Sequence, residues 1–270
     1  MPIRCVILCG QSPRHLCFAN RVCEWADVRA IIQEVGRVLG PAQLMKKLKP
    51  SAVLCKTSRW LRDRFRYASR GEAKFFFGDE TPRLSRPDLV RKVPYVSHAG
   101  TLDIVRGVDP DLVLVFGTSL IRGPLLDWRG FGIINLHGGL SPEYRGADCT
   151  FWALYNNEPE KVGCSIHFID AGIDTGRLIA HVCPEVRPGD HELLLFWRAV
   201  QESTYIVGQL LQRLENGERL GTQQVAKGKL YRVRDRQWKH ERMLCNQLRA
   251  GMLRDLRLPK RILWFPEEVN

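Results

Sequence analysis

The sequence lacks the short motifs that identify several common enzyme classes and metal sites. None of its nine cysteines forms a Cys-x-x-Cys pair and no His-Glu-x-x-His occurs, so the sequence gives little support for a zinc site. It also has no Gly-x-Gly-x-x-Gly after the first apolar run, no Gly-x4-Gly-Lys-Ser/Thr and no Gly-x-Ser-x-Gly. These absences disfavour a dinucleotide-dependent dehydrogenase, a P-loop kinase and an ordinary α/β-hydrolase. We predict no metal ligands.

Long hydrophobic runs are also missing. No apolar stretch approaches the roughly 18 residues that a transmembrane helix needs, and the one near the N-terminus is too short for a signal peptide. The cysteines are odd in number and several lie inside apolar runs such as residues 5–9, which is typical of reduced, buried thiols. We therefore expect a cytoplasmic protein without a membrane partner. With 270 residues the chain suits one large domain, or one domain with an extension.

The formal net charge of +12 is distributed unevenly along the chain. Residues 46–70 carry nine basic residues and one acidic residue, and residues 227–261 carry twelve basic residues and three acidic ones. A basic excess is compatible with nucleic acid, an acidic membrane surface or an anionic small molecule. Direct nucleic-acid binding is disfavoured, because Trp60, Phe65 and Tyr67 fit the apolar face of a helix better than a base-stacking platform.

Hydrophobic periodicity predicts an α/β fold. The predicted strands cover residues 3–9, 28–35, 111–117, 132–135, 163–169 and 178–186, and the predicted helices cover residues 14–26, 147–157, 191–216 and 241–253. One or two amphipathic helices are predicted within residues 42–70, with a break at Pro50. The alternation predicts a doubly wound, mostly parallel sheet in a domain of residues 1–217. Residues 218–270 are predicted to form a short, basic C-terminal extension.

Three polar side chains are predicted to meet at one edge of the sheet. Asn135 and His137 are two residues apart on a predicted strand, so they face the same side at its carboxyl end, where ligands bind in such sheets. Asp174 lies in a glycine-flanked loop that follows another strand. An amide that stabilises an oxyanion, an imidazole that moves a proton and a carboxylate that orients the imidazole suit acyl-group transfer. Because no Ser or Cys nucleophile is placed beside them, we expect direct transfer to the acceptor.

The other histidines have less support as functional residues. His167 lies within a predicted strand, where packing is the default expectation, and His15 has no matching carboxylate or glycine-loop context. An Asn-x-His pair at a strand end is by itself more often a hydrogen-bonded turn than a site.

Three segments taken together resemble a known family. Residues 111–121, 135–146 and 163–176 are similar, in motif content, order and separation, to the folate-dependent N-formyltransferases. The organisation is closest to that of the sugar N-formyltransferases, and the family also includes glycinamide ribonucleotide and methionyl-tRNA formyltransferases. The resemblance covers roughly residues 1–217. It departs from the family in the loop Gly138–Pro142, where the family usually reads Ser-Leu-Leu-Pro.

The resemblance implies a Rossmann-like core, a co-substrate and a set of site residues. Asn135, His137 and Asp174 correspond to a catalytic triad that promotes attack of an amine on the formyl group of N10-formyltetrahydrofolate, with no metal involved. The folate is implied to contact seven residues, namely Phe116, Gly117, Leu120, Ile121, Asp170, Gly172 and Ile173. Tyr144 and Arg145 are implied to bind the acceptor, and the protein is implied to be a homodimer.

Several functions stay open at this point. The first is transfer of a formyl group to the amine of a nucleotide-linked amino sugar or a similar small anionic metabolite. The second is a methionyl-tRNA formyltransferase-like enzyme, which the net charge favours, although the weakly patterned residues after Gly217 do not resemble the C-terminal β-barrel of those enzymes. The third is a catalytically silent module that binds folate or a nucleotide.

Overall fold

The molecule is built around an eight-stranded sheet, described here from a computed structural model. The structure describes residues 2–36, 71–226 and 228–267, together with four single positions between 53 and 61. The amphipathic helices predicted within residues 42–70, and most of the basic segment 46–70, lie outside the described ranges.

The strands alternate with helices along much of the described chain. The strands are β1 (Arg4–Cys9), β2 (Asp27–Glu34), β3 (Val90–Val93), β4 (Leu112–Phe116), β5 (Ile133–His137), β6 (Tyr144–Gly146), β7 (Cys164–Phe168), β8 (Leu178–Cys183), β9 (Lys229–Tyr231) and β10 (Arg261–Trp264). The helices are α1 (Pro13–Trp25), α2 (Gly71–Phe77), α3 (Ala99–Val108), α4 (Cys149–Tyr155), α5 (Glu192–Glu215) and α6 (Trp238–Arg249).

The order of the strands confirms the predicted fold class. The large sheet runs β10-β8-β7-β5-β4-β1-β2-β3. Strands β3, β2, β1, β4 and β5 are parallel to one another, whereas β7, β8 and β10 each pair antiparallel with the strand before them in the sheet. The sheet is therefore mostly parallel, and β5 and β4 lie at its centre. A second, two-stranded sheet pairs β6 with β9.

Strand β1 shows why a continuous apolar run forms an interior strand of the sheet. Its side chains alternate between the two faces, and both faces are covered. Cys5, Ile7 and Cys9 pack in the cluster that includes apolar residues of α1 and α5. Val6 and Leu8 pack on the opposite face, in a cluster that includes a residue of α3. The side chains on both faces of β1 therefore have to be apolar for the strand to lie inside the sheet.

The residues after Gly217 are joined to the large sheet and to the chain that follows β5. Strand β10 pairs antiparallel with β8, and β9 pairs with β6. Leu244 of α6 belongs to a third apolar cluster with Phe151 and Trp152 of α4. The division into residues 1–217 and 218–270 stays a prediction, but the second part contributes a strand to each sheet. Among the helices that the structure describes, not one combines the length and apolar character that a membrane crossing requires.

Candidate active site

A cleft of about 970 Å³ opens where β4, β5 and the loop after β7 meet. It lies at the carboxyl ends of β4 and β5, which is the edge where open parallel sheets bind ligands. The ten residues predicted as catalytic or folate-binding all line it, namely Phe116, Gly117, Leu120, Ile121, Asn135, His137, Asp170, Gly172, Ile173 and Asp174. The structure thus brings the two motif segments and the loop after β4 to one cavity.

The register of β5 against β7 places a second histidine beside the predicted triad. Asn135 of β5 is the direct partner of His167 of β7, and Asn135 Nδ2 lies 3.2 Å from His167 Nε2. His167 Nδ1 lies 2.7 Å from the carbonyl oxygen of Phe168. Because that carbonyl can only accept, Nδ1 carries the proton and Nε2 is left to accept from the Asn135 amide. The ring of His167 therefore holds the Asn135 side chain.

Asp174 lies between the two histidines. Its Oδ2 is 3.5 Å from His137 Nδ1, and its Oδ1 is 3.6 Å from His167 Nε2. The backbone N–H of Gly146 donates to Oδ2 at 2.8 Å, which fixes the carboxylate from a third side. Asp174 has φ +52°, a left-handed conformation that is uncommon for a residue other than glycine and is characteristic of functional sites.

His137 has one nitrogen committed to the backbone and one directed at the carboxylate. Its Nε2 lies 3.2 Å from the carbonyl oxygen of Tyr144, which can only accept a hydrogen bond, so in the neutral ring Nε2 carries the proton. Nδ1 then presents a lone pair beside Asp174. A proton taken up at Nδ1 is stabilised by that carboxylate, and this pairing suits His137 to proton transfer.

Burial and mutual attraction set the charge states of this pair in opposite directions. Burial lowers the pKa of His137, while the neighbouring Asp174 opposes that shift, so the resting ring is neutral at pH 7. Burial alone raises the pKa of Asp174, but attraction to His137 and His167 and the Gly146 N–H outweigh it, and the pKa falls below its ordinary value. The site therefore holds an ionised carboxylate beside a neutral imidazole.

Tyr144 and Arg145, which the family resemblance implies to bind the acceptor, do not line the cleft. The Tyr144 hydroxyl donates to Glu158, and its ring stacks on Tyr231 with centroids 5.7 Å apart. Arg145 is buried and donates to the carbonyl oxygens of Ile173, at 3.2 Å, and Gly228, at 2.9 Å. Both side chains hold the wall of the site. The residues that follow them directly, 146–151, do line the cavity.

The sequence reasoning did not single out two histidines that line the cleft. The signal for His167 was its position on a strand adjacent to Asn135, which becomes visible only when the register is known. His15 lines the cleft, accepts from the Ser12 N–H through Nδ1 and packs edge-on against Phe116. A Cβ on Gly117 would lie 1.9 Å from His15 Nε2. The signal available in the sequence was a glycine directly after each of two strands, Gly10 after β1 and Gly117 after β4. Both glycines leave room for the His15 side chain at the edge of the sheet.

The folate-binding residues that the family resemblance implies are compatible with a large ligand. The cleft volume falls within the range of about 300–1,000 Å³ that is typical of drug-sized ligands. Leu120 presents an exposed apolar side chain to it. Asp170 Oδ1 accepts from the Gly172 N–H at 3.0 Å and from the Thr175 hydroxyl at 2.7 Å, so this loop is held by its own hydrogen bonds. Across the described ranges, no group of three or more His, Cys, Asp or Glu side chains is arranged to hold a metal ion.

Comparison with known proteins finds similarity over the part of the chain that carries most of this site. Residues 86–206 match the family described as formyl transferase. A methionyl-tRNA formyltransferase from Citrifermentans bemidjiense is 33% identical over 120 residues, which are 44% of this chain and 37% of that protein. A GDP-perosamine N-formyltransferase from Brucella melitensis is 32% identical over 111 residues, which are 41% of this chain and 42% of that protein. The chain thus aligns with less than half the length of these relatives.

Solved structures support the same fold over nearly the whole chain. A sugar N-formyltransferase from a Shewanella species superposes with a TM-score of 0.56 and 16% identity, covering 99% of each chain. At that identity the similarity concerns the fold. Because the superposition covers 99% of this chain, it includes most of the residues after Gly217.

Proposed function

We propose that the chain, whose residues 86–206 match the formyl transferase family, transfers a formyl group from N10-formyltetrahydrofolate to a primary amine. The observation that carries the proposal is the arrangement of Asn135, His137 and Asp174 on one cleft wall, with Asp174 within 3.5 Å of His137. When bound, N10-formyltetrahydrofolate supplies the formyl group. The seven residues of the β4 and β7 loops that line the cleft are the ones that would hold it.

The chain's own residues divide the work of binding and proton transfer. Asn135 presents an amide whose orientation is fixed by His167, and an amide N–H stabilises negative charge that develops on a neighbouring oxygen. His137 accepts, at Nδ1, the proton that the attacking amine loses, and this proton is then available to the tetrahydrofolate nitrogen from which the formyl group departs. Asp174 stabilises the resulting imidazolium without itself leaving the ionised state. Neither step requires a nucleophilic side chain.

For the acceptor we propose a nucleotide-linked amino sugar. The support is the similarity to GDP-perosamine N-formyltransferase and an exposed arginine, Arg232, that lines the cleft. An arginine fork suits the phosphates of a nucleotide. We also propose that the protein is a homodimer, which light scattering of the purified chain will test.

The test is formyl transfer to a panel of amines containing GDP-perosamine, glycinamide ribonucleotide and methionyl-tRNA. We expect turnover by the wild type and a loss of at least about 100-fold in His137→Ala and Asp174→Asn, because general acid–base groups contribute about 10²–10⁴-fold. Asp88→Asn is the matched control, since Asp88 lies on the surface and pairs with Arg86. Full activity in either site variant, or no turnover with any amine, contradicts the proposal and favours a silent binding module.

A methionyl-tRNA acceptor is the second candidate. It is supported by the similarity to methionyl-tRNA formyltransferase and by the net charge of +12. Binding of a polyanionic tRNA must weaken steeply as salt rises, because each neutralised phosphate releases counterions. A KM for methionyl-tRNA that rises at least tenfold between 50 and 200 mM salt, on the order expected for several phosphate contacts, favours this candidate. A flat salt profile together with turnover of GDP-perosamine excludes it.

A further inference from the structure

One ring nitrogen of His15 has no hydrogen-bond partner, although the side chain is almost completely buried. His15 is 5% exposed and lines the cleft. Its Nδ1 accepts from the backbone N–H of Ser12 at 3.2 Å. No residue that the structure describes pairs with Nε2, and this atom is not fully enclosed, so a ligand in the cleft can reach it. An unpaired polar atom in such a place is explained by a ligand that supplies the missing hydrogen bond.

The hydrogen bond from Ser12 fixes which nitrogen of the ring carries the proton. A nitrogen that accepts from an N–H bears a lone pair, so in the neutral ring the proton is on Nε2. Burial, with a smaller effect from Arg14, lowers the pKa of His15 to about 3, and the ring therefore stays neutral at pH 7. Nε2 is a permanent donor without charge. It suits an uncharged ligand oxygen, whereas phosphate is usually bound by charged donors.

The surrounding contacts hold this donor at the edge of the sheet. A Cβ on Gly117 would lie 1.9 Å from Nε2, and a Cβ on Gly10 would lie 2.6 Å from Nδ1. The ring thus fills the space that side chains at the ends of β4 and β1 would take. It also packs edge-on against Phe116, with ring centroids 4.7 Å apart. The donor is in place before a ligand arrives, which reduces the ordering cost of binding.

The order of the strands separates His15 from the part of the cleft that is implied to bind folate. Strands β7, β5, β4 and β1 are neighbours in this order. The implied folate residues follow β4 and β7, on the two sides of β5, whereas His15 follows β1, on the far side of β4. Because neighbouring strands are about 5 Å apart, the ring lies roughly 5–10 Å from the strand that carries Asn135 and His137. This is the scale of one monosaccharide unit.

We propose that Nε2–H of His15 donates a hydrogen bond to an uncharged oxygen of the amine acceptor, such as a hydroxyl of the amino sugar. This contact holds the acceptor with its amine beside His137, and the inference rests on the proposed formyl transfer. His15 is a substrate-binding residue and takes no part in proton transfer. It favours those amines that carry an oxygen at this distance from the reacting nitrogen.

Two substitutions separate the roles of the two ring nitrogens. In His15→Asn the side-chain oxygen can still accept from the Ser12 N–H, but no donor remains at the position of Nε2. In His15→Gln the longer side chain can present an amide N–H near that position.

His240→Asn is the matched control. His240 is the third residue of α6, as His15 is of α1, and its Nδ1 accepts from the Gln237 N–H at 3.1 Å in the same capping arrangement. It does not line the cleft. Urea unfolding at pH 7 shows that each variant is folded before its binding is measured.

Binding of GDP-perosamine and of glycinamide ribonucleotide is measured by titration calorimetry in the absence of N10-formyltetrahydrofolate. KM for both substrates is measured with the panel amine that the wild type formylates fastest. We expect His15→Asn to weaken binding of the acceptor and to raise its KM by about three- to tenfold, as the loss of one uncharged hydrogen bond predicts. His15→Gln should recover most of that loss, and His240→Asn should match the wild type. KM for N10-formyltetrahydrofolate should stay unchanged in all three variants.

The outcomes separate the His15 contact from the proposed function. A wild type that binds an amine but formylates none overturns the proposed function, and the calorimetry of His15→Asn then decides the contact. An active wild type whose affinity and KM for the amine are unchanged in His15→Asn overturns the contact alone. A rise confined to KM for N10-formyltetrahydrofolate shows that Nε2 faces the co-substrate and overturns the assignment to the acceptor. An equal effect of His240→Asn shows that the change acts through helix capping, and also overturns it.

Discussion

Gly117 ends β4 at a place where a methyl group has no room. Its φ is +70°, which an L-residue adopts only with strain, and an added Cβ would lie 1.9 Å from Nε2 of the His15 ring. The ring cannot withdraw freely, because its Nδ1 accepts from the Ser12 N–H and its edge packs on Phe116 with centroids 4.7 Å apart. We predict that Gly117→Ala is strongly destabilising.

Gly123 separates the two contributions to that cost. It has φ +76° but nothing within 4 Å of an added Cβ, so Gly123→Ala adds only the backbone strain, about 1–2 kcal/mol. Gly117→Ala adds the same strain and the displacement of a buried ring, and overpacking of this kind costs about 1–3 kcal/mol. We therefore expect a loss of about 2–5 kcal/mol for Gly117→Ala and a smaller loss for the control.

Urea unfolding of both variants, of His15→Ala and of the double variant completes a thermodynamic cycle. If the ring is the obstacle, the double variant should be more stable than the sum of the single losses predicts, by at least about 1 kcal/mol. Equal losses for Gly117→Ala and Gly123→Ala, or strict additivity with His15→Ala, refute the reasoning. The readout is stability alone, so it does not depend on any assigned activity.

Two further predictions concern buried charge. Burial, with a smaller effect from Arg14, lowers the pKa of His15 to about 3, against about 6.5 in an unfolded chain. Because the unfolded state binds the extra proton, stability falls as pH drops below about 6.5, by roughly 2 kcal/mol at pH 5, and His15→Asn should flatten the urea midpoint between pH 7 and pH 5. A urea midpoint of His15→Asn that falls between pH 7 and pH 5 as steeply as that of the wild type contradicts this prediction. Arg198 donates to Asp190 at 2.7 and 2.9 Å, so Arg198→Met leaves a buried carboxylate unpaired and should cost about 3–5 kcal/mol, part of which Arg198→Met with Asp190→Asn recovers. Equal urea midpoints for the single and double variants refute this assignment.

The parts of the fold that depend on local pattern were predictable from the sequence. The continuous apolar runs at β1 and β4 could only be strands covered on both faces, and their positions agree within a residue or two. The long α5 ends two residues before Gly217, the predicted stop. Strands β3, β6, β9 and β10 were missed because each is three or four residues long and exists through pairing with a distant segment.

The site residues that lie on one strand were predictable from the sequence. Those that come together only through the pairing register of two strands were not. Asn135 and His137 follow from a period of two along β5, and their convergence with Asp174 follows from the topology of the sheet. His167 joins them only because β7 runs antiparallel beside β5 with those residues opposite. The contacts of Arg145 with the carbonyl oxygens of Ile173 and Gly228 were not predictable, because nearness to a motif in sequence does not determine where a side chain points.

The two hydrogen bonds that Arg145 makes have a consequence for where the chain can accept insertions and deletions. Its guanidinium binds the carbonyl of Ile173, next to Asp174, and the carbonyl of Gly228. Gln224 adds a second tie, donating to the carbonyl oxygens of Asp174, at 3.1 Å, and Gly176, at 2.6 Å. The loop that carries the carboxylate is therefore anchored to the connection between α5 and β9. Insertions or deletions in the connection between α5 and β9 will move Asp174. The length of this connection is therefore constrained by the position that the Asp174 carboxylate must keep beside His137.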